Sequence, residues 1–214
     1  MQSSRAPRNT LTRAKVVDAA LAFVQERGLG ELTIRALAQQ LGVRPMSLYT
    51  HVASKDDIVD ALVDAMFARI YAPDPSGEWR TELASRARSA RHVLAPNAWA
   101  LTVIESRTSP GSATVEAHEA VLELLARNGF DLAARAHVYA VLDAFVYGFV
   151  LQEAMLASAG VSADVDSLPV LPLARAPRIA ELAAAYGEGM TFGASFDVGL
   201  DLILDGIEGL RDRD

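Results

Sequence analysis

Hydrophobic positions recur at spacings of three and four along most of the chain, a pattern typical of amphipathic helices. The first such stripe consists of Val17, Ala20, Leu21 and Val24. Thr10 or Thr12 precedes it at the place of a helix N-cap. No segment alternates apolar and polar residues convincingly, as a half-buried strand would. The sequence therefore predicts an all-α protein.

Glycine and proline separate three short predicted helices near the N-terminus. The first ends near Arg27, before Gly28. Thr33 caps the second helix, and Gly42 ends it at a position suited to positive φ. The third begins at Pro45, where the missing N–H costs no hydrogen bond. Two helices joined by a glycine turn predict a helix-turn-helix.

The third helix is expected to run for two turns with its apolar anchors, Leu48 and Val52, on one face. The remaining positions present hydroxyl, aromatic and imidazole groups, which contact bases and phosphates in protein–DNA complexes. These outward residues are Pro45, Met46, Ser47, Tyr49, Thr50 and His51. A surface helix of an ordinary bundle shares this pattern, so the pattern alone leaves DNA binding and a structural role open.

Charge is distributed unevenly over the 214 residues, whose formal net charge at pH 7 is −7. Residues 1–55 carry 8 basic and 3 acidic side chains, a net of +5, so the remainder carries −12. A basic head on an acidic body favours contact of the head with a polyanion, although a solvated basic tail gives the same balance. Arg5, Arg8 and Arg13 are expected to lie along phosphates or in the minor groove.

Two further features of composition bear on the compartment. The chain contains no Cys, which excludes disulfides and thiolate metal sites and fits a reducing compartment. The basic N-terminal residues are not followed by an apolar run, so no signal peptide is predicted. We therefore expect a cytoplasmic protein.

A fourth helix is expected to link the head to a larger helical body. Ser54 and Asp57 form a capping-box pattern at its start, and its apolar stripe leads to an expected end at Tyr71. The stripe consists of Ile58, Leu62, Met66 and Ile70. Proline and glycine at 72–78 break the helix. Further helices are predicted at 79–94, 99–106, 114–128, 132–157 and 192 or 195–210, with a loop at 158–177 that contains or precedes another helix.

The predicted helix at 132–157 is apolar on nearly every face. His137 and Asp143 interrupt it, which indicates a buried helix and no membrane span. Burial on all faces predicts that one face packs on a second copy of the chain, while burial inside a single chain is the alternative. The expected dimer contacts are Ala140, Ala144 and Gly148, with Val198, Leu202 and Ile203 of the last helix.

The segment "LTIRALAQQLGVRPMSLYTHVASKDDIVDALVD" resembles the N-terminal domain of the TetR family of bacterial transcriptional repressors. "SLYTHVASKDDIVDAL" is similar to the recognition helix and fourth-helix start of that family, with its Leu-Tyr-x-His-Val/Phe-x-x-Lys pattern. The resemblance covers about residues 12–66. Weaker similarity to the regulatory domain of the tetracycline-repressor subgroup continues in "EWRTELASRARSARHVL", "VLELLARNGFD", "YGFVLQEA" and "FDVGLDLILDGIEGL".

The resemblance implies a repressor that binds a palindromic DNA operator as a homodimer and is released when a small molecule enters the body. It implies a flexible basic arm at 1–11, a DNA-binding domain at 12–54, a linking helix at 55–71, and a ligand-binding and dimerisation domain at 72–214. The expected DNA contacts are Thr33, Arg35, Arg44, Pro45, Met46, Ser47, Tyr49, Thr50, His51 and Lys55. No cofactor is implied.

The effector site is expected among apolar and amphipathic groups near the centre of the body. The candidates are Met66, Tyr71, Trp99, Ile104, His118, Leu122, Tyr139, Phe145 and Phe149. Each of them also fits plain core. Tyr71 stands where the tetracycline repressors have a drug-contacting His, so a bulky apolar or aromatic effector is favoured over metal-bound tetracycline. No second His stands at metal-ligand spacing from His118, so no metal site is expected.

Two other classes of function are compatible with parts of the sequence. Ser47 and His51 are four residues apart, yet no G-x-S-x-G elbow or orienting carboxylate accompanies them, so catalysis is not expected. The remaining alternative is a helical protein-interaction module without DNA binding. Salt dependence separates the two, because an operator binder weakens steeply as salt rises.

Overall fold

The computed structural model describes residues 11–106, 110–158 and 176–211. These residues form ten α-helices and no strand, which confirms the all-α prediction. The helices are α1 (Arg13–Arg27), α2 (Ile34–Gln40), α3 (Pro45–Leu48), α4 (Lys55–Phe67), α5 (Trp79–Leu94), α6 (Trp99–Ser106), α7 (Ser112–Arg127), α8 (Leu132–Ser158), α9 (Pro177–Gly187) and α10 (Ser195–Arg211). Residues 1–10 of the expected basic arm and most of the expected loop at 158–177 lie outside the described residues.

The predicted caps of the head form as expected. The Thr12 hydroxyl accepts a hydrogen bond from Lys15 N at 3.2 Å, and the Thr33 hydroxyl accepts one from Ala36 N at 3.1 Å. Gly42 has φ +65°, which favours glycine and turns the chain from α2 toward α3. Leu48 is fully buried beneath α3, and α2 packs on α3 as in a helix-turn-helix.

The expected length of α3 is wrong, because the α-helix stops after one turn at Leu48. The Thr50 hydroxyl donates to the Ser47 carbonyl at 2.8 Å. That carbonyl is the one to which His51 N would donate in a continued α-helix, and His51 N instead donates to Leu48 O. Residues 49–51 therefore form a tighter turn, and Val52 is still buried beneath it.

The expected end of α4 at Tyr71 is also wrong, because the helix stops at Phe67. Arg69 N and Ile70 N donate to carbonyls three residues back, which tightens the end of the helix. Tyr71 N donates to the Ser89 hydroxyl of α5 at 2.8 Å, so a side chain of the body takes the place of a helical carbonyl. Ile70 remains buried, as the apolar stripe predicted.

The body is arranged around α8, which packs against α5, α7 and α10. Ala134, Val138, Leu142 and Val146 form its buried face. The opposite face is exposed in the single chain, with Leu132 74% and Met155 63% accessible. By length and composition alone α8 would also pass as a membrane-crossing helix, a test that core helices of soluble proteins pass too.

Candidate DNA-binding surface and effector cavity

Most side chains of the turn at 45–51 face solvent, while Leu48 anchors the turn in the core. Met46 is 73% exposed and Tyr49 is 49% exposed, whereas Leu48 between them is fully buried. The other expected DNA contacts are also accessible: Thr33, Arg35, Arg44, Pro45, Ser47 and Thr50 are exposed, and His51 and Lys55 are half-buried. The surface combines aromatic, thioether and hydroxyl groups with three cations, which suits contact with bases and phosphates.

An ion pair holds this turn against the start of α4. Arg13 donates to both carboxylate oxygens of Asp57, at 2.9 and 2.5 Å, and to the His51 carbonyl at 3.0 Å. The same carboxylate accepts from Ala53 N at 2.7 Å. The hydrogen bond from Arg13 holds the pKa of Asp57 at about 2, below its ordinary value of 3.8. The pair holds α1, the turn at 45–51 and α4 together.

These contacts change two expectations. Arg13 was expected to lie along phosphates, but its guanidinium is bound to Asp57. Asp57 was expected to reach back to Ser54 N in a capping box, but its carboxylate bonds Ala53 N one residue earlier. The other half of the box forms, since the Ser54 hydroxyl accepts from Asp57 N at 3.0 Å. The Arg13–Asp57 pair joins residues 44 positions apart, so no pattern of neighbouring residues predicts it.

A carboxylate of α4 also caps a helix of the body. Asp64 Oδ1 accepts from the backbone N–H of Thr114 at 3.0 Å and from its hydroxyl at 3.1 Å. Thr114 lies in the first turn of α7, whose own N-cap, Gly111, has no side chain that could accept this hydrogen bond. Helix α4, which carries the head, is thereby joined to α7, which forms part of the body.

A small cavity opens between α5, α7 and α8, behind the end of α4. Its walls are Ile70, Leu83, Arg86, Ala87, Ala90, Val121, Tyr139, Leu142, Asp143, Val146 and Tyr147. The volume open to water is about 20 Å³, enough for roughly one water molecule. A bulky effector would therefore have to widen the cavity as it enters.

The effector candidates chosen from the sequence do not gather into one site. Tyr139 lines the cavity. His118 packs edge-on against Tyr139 and Phe67, and Met66 is buried nearby in the core. Trp99, Ile104 and Leu122 are half-buried elsewhere in the body.

Three further candidates are not among the residues that line the cavity. Phe145 and Phe149 pack with Phe196 of α10. Tyr71 is 41% exposed, and its hydroxyl donates to Glu82 at 2.7 Å on the surface. In this structure they belong to an aromatic cluster and to the surface, and their role in effector binding stays a prediction.

The residues predicted from the sequence to bind the effector do not include the charged groups that line the cavity, Arg86 and Asp143. Arg86 is only 7% exposed, and burial lowers its pKa. Asp143 is also largely buried, which raises the pKa of its carboxyl, and Tyr147 donates to it at 3.4 Å. Burial and the nearby carboxylate raise the pKa of Tyr139 and Tyr147. One signal was available, because Arg86 interrupts the apolar face of α5 between Leu83 and Ala90.

Two buried donor or acceptor atoms have no hydrogen-bond partner among the described residues, Trp99 Nε1 and His118 Nε2. Burial, and secondly the charge of Arg86, lower the pKa of His118, so its imidazole is neutral at pH 7. A neutral imidazole in an aromatic contact needs no counter-ion. It forms part of the packing between α4, α7 and α8.

The expected dimer contacts lie on neighbouring helices of the body, since α8 packs on α10. Ala140 and Ala144 are exposed, and Val198 and Leu202 are 62% and 68% exposed. Gly148 and Ile203 are half-buried at the edges of the same helices. Val141, Leu151 and Met155 add to the exposed apolar area. A run of exposed apolar side chains of this kind favours an interaction surface.

Two family descriptions match this chain in succession. Residues 16–62 match "Bacterial regulatory proteins, tetR family". Residues 72–211 match "Tetracyclin repressor-like, C-terminal domain". The first match contains the helix-turn-helix and most of α4, and the second contains the body with its cavity.

Individual relatives share the whole arrangement. The tetracycline repressor protein class A of Escherichia coli is 34% identical, with 90% of this chain and 88% of the repressor covered. The transcriptional repressor DrrR1 of Streptomyces coeruleorubidus is 31% identical, with 96% and 80% covered. The Streptomyces coelicolor TetR family protein ActR, solved in complex with actinorhodin, superposes with a TM-score of 0.77 at 26% identity and covers 95% of this chain and 100% of ActR.

Proposed function

The chain belongs to the tetR family of bacterial regulatory proteins and is a ligand-responsive DNA-binding transcriptional repressor, and we propose that it binds a palindromic operator as a homodimer in the cytoplasm. The observation that carries this proposal is the turn at 45–51, called the recognition turn below, where solvent-exposed Met46 and Tyr49 lie on either side of a buried Leu48. A small molecule that enters the body releases the DNA.

The recognition turn reads base edges in the major groove while cations hold the phosphates. Met46 and Tyr49 supply apolar and aromatic contact, and Ser47 and Thr50 supply hydroxyls. Arg44 and Lys55 flank the turn and neutralise phosphates, and Arg35 contacts a base from α2. Such contacts make the affinity fall steeply with salt.

A dimer formed through α8 and α10 presents two such turns to one duplex. The exposed apolar residues of these helices, among them Val198 and Leu202, would be covered in the dimer. Half-sites one turn of DNA apart require the two turns to lie about 34–36 Å from each other, so that each reads one half-site. The operator is accordingly palindromic.

The effector acts through helix packing. The cavity holds roughly one water molecule, so a small molecule must push α5, α7 or α8 outward. Asp64 ties α7 to α4, and α4 carries the recognition turn through the Arg13–Asp57 pair. A displacement of α7 therefore reaches the head and changes the separation of the two turns. The ligand complex of ActR supports a small molecule as effector.

Selection of bound duplexes from a random library by the purified chain tests this proposal. We expect enrichment of one symmetric site, and loss of that enrichment with Tyr49→Ala or Met46→Ala. Met190→Ala is the matched control, because Met190 is 48% exposed in the body, outside the head. Absence of enrichment even at low salt would contradict DNA binding and favour the protein-interaction alternative.

A further inference from the structure

Arg86 of the effector cavity forms no ion pair with a described carboxylate, and the charge that acts on it is that of Asp143, another residue of the cavity wall. Arg86 is 7% exposed, and among the described residues no carboxylate lies within ion-pair distance of it. Other arginines do have such partners, for example Arg80 with Asp205 and Arg91 with Glu153. The one hydrogen bond of the Arg86 guanidinium within the described chain is a long one, 3.5 Å from Nη1 to the Tyr71 carbonyl.

Burial of a guanidinium is costly unless its charge and its five N–H donors are satisfied. A single long hydrogen bond to a carbonyl satisfies little of that requirement. The guanidinium lines the cavity, so its remaining donors are available to whatever occupies the space. An anionic oxygen pair is the group that best matches the planar fork of an arginine.

The same cavity has a second polar point on α8. Asp143 lies between Tyr139 and Tyr147, one helical turn from each, and all three line the cavity. Its carboxylate accepts from the Tyr147 hydroxyl and remains beyond ion-pair distance of Arg86. A carboxylate has further lone pairs beyond the one that Tyr147 uses, so it can accept a hydrogen bond from a ligand hydroxyl. The other walls, such as Leu83, Val121 and Val146, are apolar.

We propose that Arg86 is the anion-recognising residue of the effector cavity and that the effector is an aromatic hydroxy acid. Its carboxylate pairs with Arg86, its hydroxyl donates to Asp143, and its ring lies against the apolar walls. This inference rests on the proposed function of the body as an effector-binding domain, and it names the chemical class of the effector.

The test is a binding screen of the full-length chain with matched aromatic compounds. The probes are hydroxynaphthoic and hydroxyanthraquinone carboxylic acids, their neutral carboxamides, and the same acids without the hydroxyl. Binding is followed by the shift in melting temperature and by calorimetric titration. We expect the acids to bind at least about tenfold more tightly than the carboxamides, because charge-assisted hydrogen bonds are about twice as strong as neutral ones.

Variants assign the effect to the two residues. Arg86→Gln is expected to remove the preference for acids, and Arg86→Lys to keep part of it. Asp143→Asn is expected to weaken only the hydroxylated acids. Arg88→Gln is the matched control, because Arg88 lies on the same helix but is half-exposed and pairs with Asp197. A merely structural Arg86 would instead lower the melting temperature of the ligand-free Arg86→Gln chain without any preference for acids in the wild type.

Several results would overturn the inference. They are equal binding of acids and carboxamides, undiminished binding of acids by Arg86→Gln, and failure of every acid in the screen to bind. A chain that enriches a symmetric DNA site but shows no preference for acids would leave the proposed function standing without this effector class. A chain that prefers acids but binds no DNA would support this effector class and contradict the proposed DNA binding.

Discussion

The hydrogen bonds between Asp64 and the first turn of α7 give the sharpest prediction about stability and coupling. Asp64→Ala removes the acceptor of two hydrogen bonds, from the N–H and the hydroxyl of Thr114. Thr114 is 5% exposed, so water does not readily replace the lost acceptor. The variant therefore leaves two buried donors unsatisfied and an α-helix without its cap.

The magnitude follows from the nature of these bonds. Loss of a helix N-cap costs about 0.5–2 kcal/mol, and a hydrogen bond to a charged group contributes about 1.5–3 kcal/mol. Both donors share one oxygen, so their contributions are not additive. We expect Asp64→Ala to lower the free energy of unfolding by about 2 kcal/mol. For a chain of this length that corresponds to a fall in melting temperature of roughly 4–8 °C.

The assay is denaturant and thermal unfolding at one fixed protein concentration, because a dimer melts in a concentration-dependent way. Thr114→Val keeps the N–H bond and is expected to cost about 1 kcal/mol. In the Asp64→Ala background Thr114→Val should cost much less, since the hydroxyl has already lost its acceptor. Glu119→Ala, at an exposed position of the same helix, is the control and should stay within about 0.5 kcal/mol.

Asp64 does not cap α7 if Asp64→Ala unfolds like Glu119→Ala. The same conclusion follows if the costs of Asp64→Ala and Thr114→Val are additive. Gly111 provides an independent check. A Cβ at position 111 would lie 2.3 Å from Asp64 Oδ1, so Gly111→Ala should displace the carboxylate and destabilise the wild type more than the Asp64→Ala chain.

Three further predictions concern the head and the dimer face. Leu48→Ala removes a fully buried side chain beneath the recognition turn and should cost about 2–5 kcal/mol, measured by urea unfolding, whereas Met46→Ala should stay within about 0.5 kcal/mol; equal effects would contradict the burial pattern. The depressed pKa of Asp57, about 2 against 3.8, means that the Arg13–Asp57 pair stabilises the fold above about pH 4 and loses this effect as the pH falls toward 2. Asp57→Asn should therefore cost about 1 kcal/mol at pH 7, an amount reduced by solvent screening of the half-exposed Arg13, and much less at pH 2; a cost independent of pH would refute the assignment. Leu202→Asp places a charge on the 68% exposed apolar face of α10 and should convert dimers to monomers in sedimentation velocity, while Asp201→Ala should not.

Helix boundaries were predictable from sequence wherever a local rule decides them. Thr12, Thr33 and Ser54 cap their helices with their own side chains, and Gly42 ends α2 through its own conformation. Such rules involve residues within a few positions of each other. They were sufficient for the start of every helix in the head.

Two helix ends were not predictable because contacts beyond the hydrophobic pattern decide them. The Thr50 hydroxyl takes the carbonyl that α3 would need to continue. The Ser89 hydroxyl of α5, 18 residues away, accepts from Tyr71 N just beyond the end of α4. Neither event alters the apolar stripe, which continued through Val52 and Ile70 and suggested longer helices.

The exposed surface of the head was predictable from local sequence, whereas the lining of the cavity was not. The exposure of the expected DNA-contact residues follows from two buried anchors on a short turn, so the sequence was enough to predict which side chains face solvent. Their contacts with DNA stay a prediction. The cavity lies between three helices, and the rotation of each helix about its axis decides which residues line it. Aromatic character pointed to Phe145 and Phe149, which pack in the core. The signal in the sequence for a charged group in the cavity wall was Arg86, a charge on an apolar face.

The central claim is that two copies of the recognition turn are held on one duplex by a dimer. Native mass spectrometry of the chain mixed with its selected duplex measures this most directly. We predict one species with two chains per duplex, replaced by free DNA and monomer when Leu202→Asp is used. A complex with a single chain per duplex, or an unchanged complex with Leu202→Asp, would contradict the claim.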